Sequence, residues 1–172
     1  MSATPAKPAT RHDLMQRLEA LAITTSTLDH APVFTVAESH GLEAQLEGAH
    51  TKNLFLKCKK GQLYLVVAKN DTQIDLKSLH KVLGSGRLSF GKPELLMEVL
   101  GVIPGSVTPF ALVNDKTQRV SVFLDARMMA LDPLNFHPLQ NDATTTIARD
   151  DLITFIEACG HAPTILDVGE AP

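Results

Sequence analysis

The chain has 172 residues, with 16 basic and 19 acidic side chains, a net charge of −3, 44% hydrophobic residues and 20% charged ones. That balance excludes a disordered or fibrous chain and fits one globular domain. No apolar run approaches the roughly 18 residues needed to cross a bilayer, and the opening MSATPAKPATRHDLMQRL lacks the uninterrupted apolar segment of a secretory leader. Two cysteines, Cys58 and Cys159, are too few for a disulfide framework and show no metal spacing. A soluble cytoplasmic domain with no membrane contact and no structural metal is expected.

Residues 1–9, rich in Ala, Thr and Pro, are expected to form a flexible tail. Thr10 and Asp13 suit a capping box, and Leu14, Leu18 and Leu21 recur at helical spacing, so a helix should follow. Pro32 leads into VFTVAES, a short alternating strand candidate, and Gly41-Leu42-Glu43 opens a brief segment ending at Gly48. In NLFLKCKKGQLYLVVA, Leu54, Leu56 and Cys58 alternate with Phe55, Lys57 and Lys59 before Lys60-Gly61 turns the chain back, which predicts a hairpin. Leu76–Leu83 reads as a helix broken by Gly84-Ser85-Gly86. Pro93 opens another, ELLMEVLG, with Gly101 as its stop. VIPGSVTP reads as loop, FALVND and VSVFLD as strands, and Asn114-Asp115-Lys116-Thr117 as the turn between them. After a polar stretch containing His137, Arg149–Ala158 reads as a final helix with Gly160 just beyond. Hairpins interleaved with helices predict a mixed α/β domain rather than a doubly wound parallel one.

Charge is unevenly spread. Residues 52–92 hold nine basic against two acidic side chains, a balance of +7, which leaves −10 on the remainder. Such segregation lets one face attract a polyanion, although lysines at strand edges also serve simply to block edge pairing. With no Trp and one Tyr, the chain lacks platforms on which successive bases could stack. A nucleic acid would be gripped by its backbone or by one end.

The familiar enzyme signatures G-x-S-x-G, G-x-x-x-x-G-K-[ST], H-E-x-x-H and G-x-G-x-x-G are absent. Cys58 shares a strand face with Leu54 and Leu56, which suits a buried, inert thiol better than a hydrolase nucleophile. His30, His40, His50, His80 and His161 have no partner at ligand spacing and read as surface or capping residues. Three polar clusters remain. His50-Thr51-Lys52-Asn53 stands at the entrance to the hairpin's first strand. GVIPGSVTP joins a helix to the next apolar run through two prolines and two glycines, a stiff bend whose amides can converge on an anion or a carbonyl oxygen. Residues 137–145 gather His137, Asn141 and several hydroxyls before the last helix. Each cluster is also what ordinary turns use, but loops carry sites disproportionately.

HTKNLFLK, the GRLSFG of residues 86–91, GSVTP, LNFHPLQNDATT and the closing GHAPTILDV together resemble the YbaK/ProX family of aminoacyl-tRNA deacylases, in the family's order and across residues 10–168. The wording GVIPGSVTPFALVND is most similar to the free-standing ProXp-ala branch. The resemblance implies a single domain over residues 10–168, a short tail at 169–172, and a mixed curved β-sheet surrounded by helices. It implies no cofactor and no metal. It further implies hydrolysis, in trans, of the ester between a wrong amino acid and the 3′-terminal ribose of tRNA(Pro), most simply alanine, with Cys, Ser or Thr as alternatives. A module that binds aminoacyl-tRNA without cleaving it is the rival from another class. Carried over by position, Lys52, Asn53 and His137 are the expected catalytic residues. Thr51, Gly105, Ser106, Val107, Thr108, Pro109 and Asn141 are the expected substrate-binding ones. The acceptor end of mischarged tRNA(Pro) is the expected partner, with a prolyl-tRNA synthetase as a second.

Overall fold

Thr10 starts the first helix, α1 (Arg11–Ala20), through the expected capping box: its side chain accepts from the Asp13 amide, and the Asp13 side chain accepts from the Thr10 amide. The computed structural model describes residues 7–32 and 46–169. The strand candidate VFTVAES and most of the segment opened by Gly41 lie outside the described residues. The end of the expected N-terminal tail is held, because the Ala9 amide donates to Asn114 Oδ1 at 2.8 Å.

The expected hairpin is present as β2 (Thr51–Cys58) and β3 (Leu63–Lys69), antiparallel from Thr51↔Lys69 to Lys57↔Leu63. It is the middle of a five-stranded sheet ordered β4-β2-β3-β5-β8, with β4 (Leu88–Phe90), β5 (Val120–Asp125) and β8 (Thr164–Leu166). β4 runs antiparallel to β2, whereas β5 runs parallel to β3 and β8 parallel to β5. β3 is central, so both its faces are buried. Leu63, Leu65 and Val67 face one core and Tyr64, Val66 and Ala68 the other, which accounts for its continuous apolar run.

The larger core gathers Leu14 and Leu18 of α1, α3 (Pro93–Leu100), a 3-10 helix η1 (Pro109–Asn114) and α4 (Arg149–Ala158) over one face of this sheet. Phe110 of η1 is fully buried and meets Phe136 and Phe155 edge-on, at ring-centroid separations of 5.9 and 5.4 Å. Each such ring stabilises the fold by roughly 1.5–3 kcal/mol relative to an exposed one. The smaller core lies under α2 (Leu76–Leu83), where Leu79 packs with Leu56, Cys58 and Val66. No helix among the described residues is long and apolar enough to cross a membrane.

The mixed α/β class holds, but two sheets replace the single curved one. A three-stranded antiparallel sheet, β1 (Thr25–Asp29), β7 (Ala143–Ile147) and β6 (Leu134–Phe136), stands beside the larger one. The two are joined at Ala49, whose amide donates to Pro133 O at 2.9 Å and whose carbonyl accepts from the Asn135 amide at 3.0 Å. FALVND is not a strand. Pro109 lacks an N–H, the Thr108 hydroxyl accepts from the Phe110 amide at 3.3 Å, and Phe110, Ala111 and Leu112 all enter the same larger core. A strand would have alternated these residues between two faces.

Candidate functional site

β2 carries the first polar cluster at its start. Its ladder with β3 has no bulge, so side chains alternate strictly. Lys52 therefore shares a face with Leu54, Leu56 and Cys58, over the smaller core, while Asn53 shares the opposite face with Phe55, over the larger one. Two neighbouring candidates thus leave the sheet on opposite sides.

Lys52 Nζ donates to the Thr72 carbonyl. Buried Thr72 in turn donates its hydroxyl to Asp125 Oδ2 at 2.7 Å, and the buried Asp125 carboxylate also accepts the Lys69 and Arg127 amides, each at 3.1 Å. This network closes the carboxyl ends of the parallel strands β3 and β5, the place where α/β sheets receive ligands. Asn53 Oδ1 is buried without a hydrogen-bond partner among the described residues, and is free to accept from a bound hydroxyl or ammonium. The Thr51 hydroxyl donates to Asn135 O at 2.6 Å, so it ties β2 to β6.

The Gly/Pro bend meets the third cluster. Gly105 has φ +92°, and the one atom that a Cβ there would meet within 4 Å, among the described residues, is Asn141 Nδ2 at 3.7 Å. Ile103, Pro104 and Gly105 form the exposed part of the bend. The rest serves the fold: the Ser106 amide donates to Ile103 O at 3.0 Å, Val107 packs on the larger core, Thr108 caps η1, and Pro109 is its buried first residue. Of the expected substrate-binding residues, Gly105 and Asn141 are brought together, while Ser106, Thr108 and Pro109 are buried.

His137 Nδ1 lies 3.0 Å from the Ala143 carbonyl. A carbonyl only accepts, so Nδ1 carries the proton and Nε2 keeps its lone pair. Burial pushes the imidazole's pKa down, the bond to Ala143 opposes this, and nearby His30 adds to the lowering. The result is a neutral ring with Nε2 as its base.

Two histidines expected at the surface or at caps are placed otherwise. His30 has its ring centroid 6.5 Å from that of His137, with the planes tilted by 55°. His161 is buried, its Nε2 2.9 Å from Asp115 Oδ2, and Asp115 also accepts the Arg119 and Val120 amides at 3.0 and 2.9 Å. Burial pushes the Asp115 carboxyl up, but His161 and those amides outweigh it and hold the group below its ordinary pKa. Cys58 is buried as expected, yet burial, which would raise its thiol pKa, is outweighed by backbone hydrogen bonds from Gln62 and Lys60. Asp125, Thr72 and Asn135, the supports beneath the cluster at the start of β2, were not singled out from the sequence. The β-branched run ATTTI was the one local signal that β7 would bring Ala143 and Thr144 beside His137.

Three of the nine basic residues of 52–92 meet at the other end of β2. Lys57, Lys59 and Arg87, with Cys58, Gly61, Leu88 and Ser89, line an open cavity of about 430 Å³. Cys58 is six positions beyond Lys52 along an extended strand, a span of roughly 20 Å.

A family model described as an aminoacyl-tRNA editing domain matches residues 30–155. The chain is 41% identical over 162 residues to the prolyl-tRNA synthetase associated domain-containing protein 1 of Mus musculus, covering 91% of this chain and 95% of that protein. It is 36% identical over 149 residues to the prolyl-tRNA editing protein ProX of Acetoanaerobium sticklandii, covering 86% and 91%. Among solved structures, one described as a proposed trans-editing enzyme for prolyl tRNA synthetase shares the fold, with a TM-score of 0.73 at 19% identity over 99% of this chain and 100% of that one.

Proposed function

Because the chain belongs to the aminoacyl-tRNA editing domain family, we propose that it is a trans-acting deacylase of mischarged tRNA(Pro), and that alanine is the amino acid it removes. The observation that carries this reading is His137. Its Nδ1 proton is committed to Ala143, which leaves a neutral Nε2 lone pair on the segment that also carries Asn141, the side chain the Gly105 bend meets. Relatives named for prolyl-tRNA editing support the tRNA.

An aminoacyl ester is already activated by its neighbouring ribose hydroxyl, so a strong protein nucleophile is not needed. The protein must hold the ester, orient water and stabilise the oxyanion, and each well-placed donor is worth roughly 3–4 kcal/mol. In this reading the water oxygen bonds to the ester carbon as its proton passes to His137 Nε2. The carbon–oxygen bond to the ribose then breaks, and the leaving ribose oxygen takes that proton. Asn53 Oδ1 accepts from the ribose hydroxyl or the substrate ammonium. Lys52 serves as a point charge for the terminal phosphate or the carbonyl. The bend at Gly105 cradles the aminoacyl end, and the Lys57, Lys59 and Arg87 cavity takes the acceptor-stem backbone, a contact that weakens with salt. A cradle sized for a methyl group excludes proline by bulk, whereas an added hydroxyl is rejected by only about a hundredfold.

The test offers purified protein a panel of tRNA(Pro) charged with Ala, Ser, Cys, Thr or Pro. Alanine should be released fastest, serine more slowly, and proline left intact. Binding without release of any amino acid would replace the enzyme with a recognition module.

A further inference from the structure

His30 lies at the end of β1, and its backbone amide donates to Asp142 O at 2.9 Å in the loop that follows His137. Its Nδ1 is 2.7 Å from Ala31 O, so Nδ1 is the protonated nitrogen and Nε2 accepts the Thr144 hydroxyl at 2.8 Å. His137 is fixed in the same tautomer by Ala143, the neighbour of Thr144 on β7. Two imidazoles are thereby pinned to adjacent residues of one strand, with centroids 6.5 Å apart and planes tilted by 55°. Among the described residues, neither ring hydrogen-bonds to a carboxylate. Around them, among the described residues, β1 contributes Asp29, which is paired with Arg11 of α1, and the loop contributes Asp142, whose side chain accepts from Gln140 at 2.7 Å. Both acids thus have other hydrogen-bond partners; Asp29 also acts on His30 through its charge, and His30 acts in the same way on His137.

We propose that His30 is a positioning residue that acts through His137: the two rings form a like-charge pair in which a proton on His30 disfavours one on His137, keeping the Nε2 of His137 available as the base for ester hydrolysis. The Thr144 hydroxyl adapts to either state of His30, donating to the neutral ring and accepting from the protonated one. The inference rests on the editing reading for the identity of the reaction, but the pair itself does not depend on it.

Two substitutions separate charge from shape. His30→Gln keeps an acceptor for Thr144 and removes the titrating charge, whereas His30→Lys makes the charge permanent. At 6.5 Å the interaction of two unit charges in water amounts to roughly half a pH unit. The His137 titration midpoint, read by NMR from its ring protons, should rise by up to about that much in His30→Gln and fall in His30→Lys. The acid limb of the deacylation pH–rate profile should move the same way, up and down respectively. A His137 midpoint that is the same in all three proteins overturns the pair, whatever the chain hydrolyses. Shifted midpoints with an unmoved acid limb overturn the role of His137 as base. Opposite shifts in both measurements establish it. Absence of hydrolysis by the unaltered protein removes the editing reading and the base with it, while opposite midpoint shifts would still establish the coupled histidines.

Discussion

Gly105→Ala separates the bend's catalytic use from its structural one. At φ +92° an L-residue is strained, by about 1–2 kcal/mol. Steric crowding adds little, because the one atom a Cβ would meet among the described residues, Asn141 Nδ2, stays at an ordinary 3.7 Å. For a chain of this size that strain lowers the melting temperature by roughly 2–8 °C. The bend can relieve the strain by rotating toward negative φ, which re-aims the amides beyond Gly105, and a displacement near 1 Å at a reacting centre costs about a hundredfold in rate. Gly84→Ala is the matched control. It has φ +71° and nothing within 4 Å among the described residues, and it ends α2 outside the residues assigned to the substrate. Single-turnover hydrolysis of Ala-tRNA(Pro), measured well below both melting temperatures, should fall about 10- to 100-fold in Gly105→Ala and stay unchanged in Gly84→Ala, while the two variants melt alike. Equal rates in the two would refute the assignment of the bend to the substrate.

Lys52→Ala removes the donor to the Thr72 carbonyl, a loss of about 1 kcal/mol, so the variant should fold; its hydrolysis rate should drop by at least about a hundredfold. A folded variant with normal single-turnover rates would reduce Lys52 to a clip between β2 and the Asp125 network. Asp115→Ala strands His161 Nε2 and the Arg119 and Val120 amides in the interior, at a cost of about 3–5 kcal/mol. Because the Asp115 pKa is depressed in the fold, its contribution is present above the unfolded carboxyl value near 3.9 and lost as pH falls through the folded one. Urea unfolding should show a large stability gap from the parent at pH 7 that narrows on acidification below about pH 4; a gap constant with pH would contradict an ionised Asp115.

The elements read correctly from the sequence are those whose local signals agree. Thr10 with Asp13, Pro93 with Gly101, and the Lys60-Gly61 turn each name an end of an element, and apolar periodicity names its type. The run FALV misled because a short apolar run is ambiguous: four apolar residues suit a central strand or a helix equally, and Pro109 with Thr108 decides it only once packing is known. β1, β6 and β7 escaped notice because TSTLD, LNF and ATTTI hold few apolar side chains, and much of their order comes from pairing with one another. At the site, Lys52, Asn53 and His137 stood in polar clusters and Gly105 in a Gly/Pro bend, and the family resemblance gave them their expected roles. Their supports were not. His30 and Thr144 are 114 residues apart and Thr72 and Asp125 are 53 apart, so nothing local couples them.

The alternation of β2 also constrains how one substrate could use both residues of the Lys52-Asn53 pair. Adjacent residues in a strand point to opposite faces, so a ligand touching both must pass around the strand's end rather than lie on the sheet. β2 begins at Thr51, where its ladder with β3 also ends, and the Thr51 hydroxyl anchors that corner to Asn135. On the editing reading, the terminal nucleotide of tRNA rounds this corner. Its phosphate lies on the Lys52 side, near the carboxyl ends of β3 and β5, and its ribose ester lies on the Asn53 side, toward His137 and the Gly105 bend. A free amino acid is too short to make that turn. The requirement for both side chains is then a requirement for an amino acid still joined to its tRNA, which is the form an editing enzyme has to distinguish from the cell's pool of free amino acids.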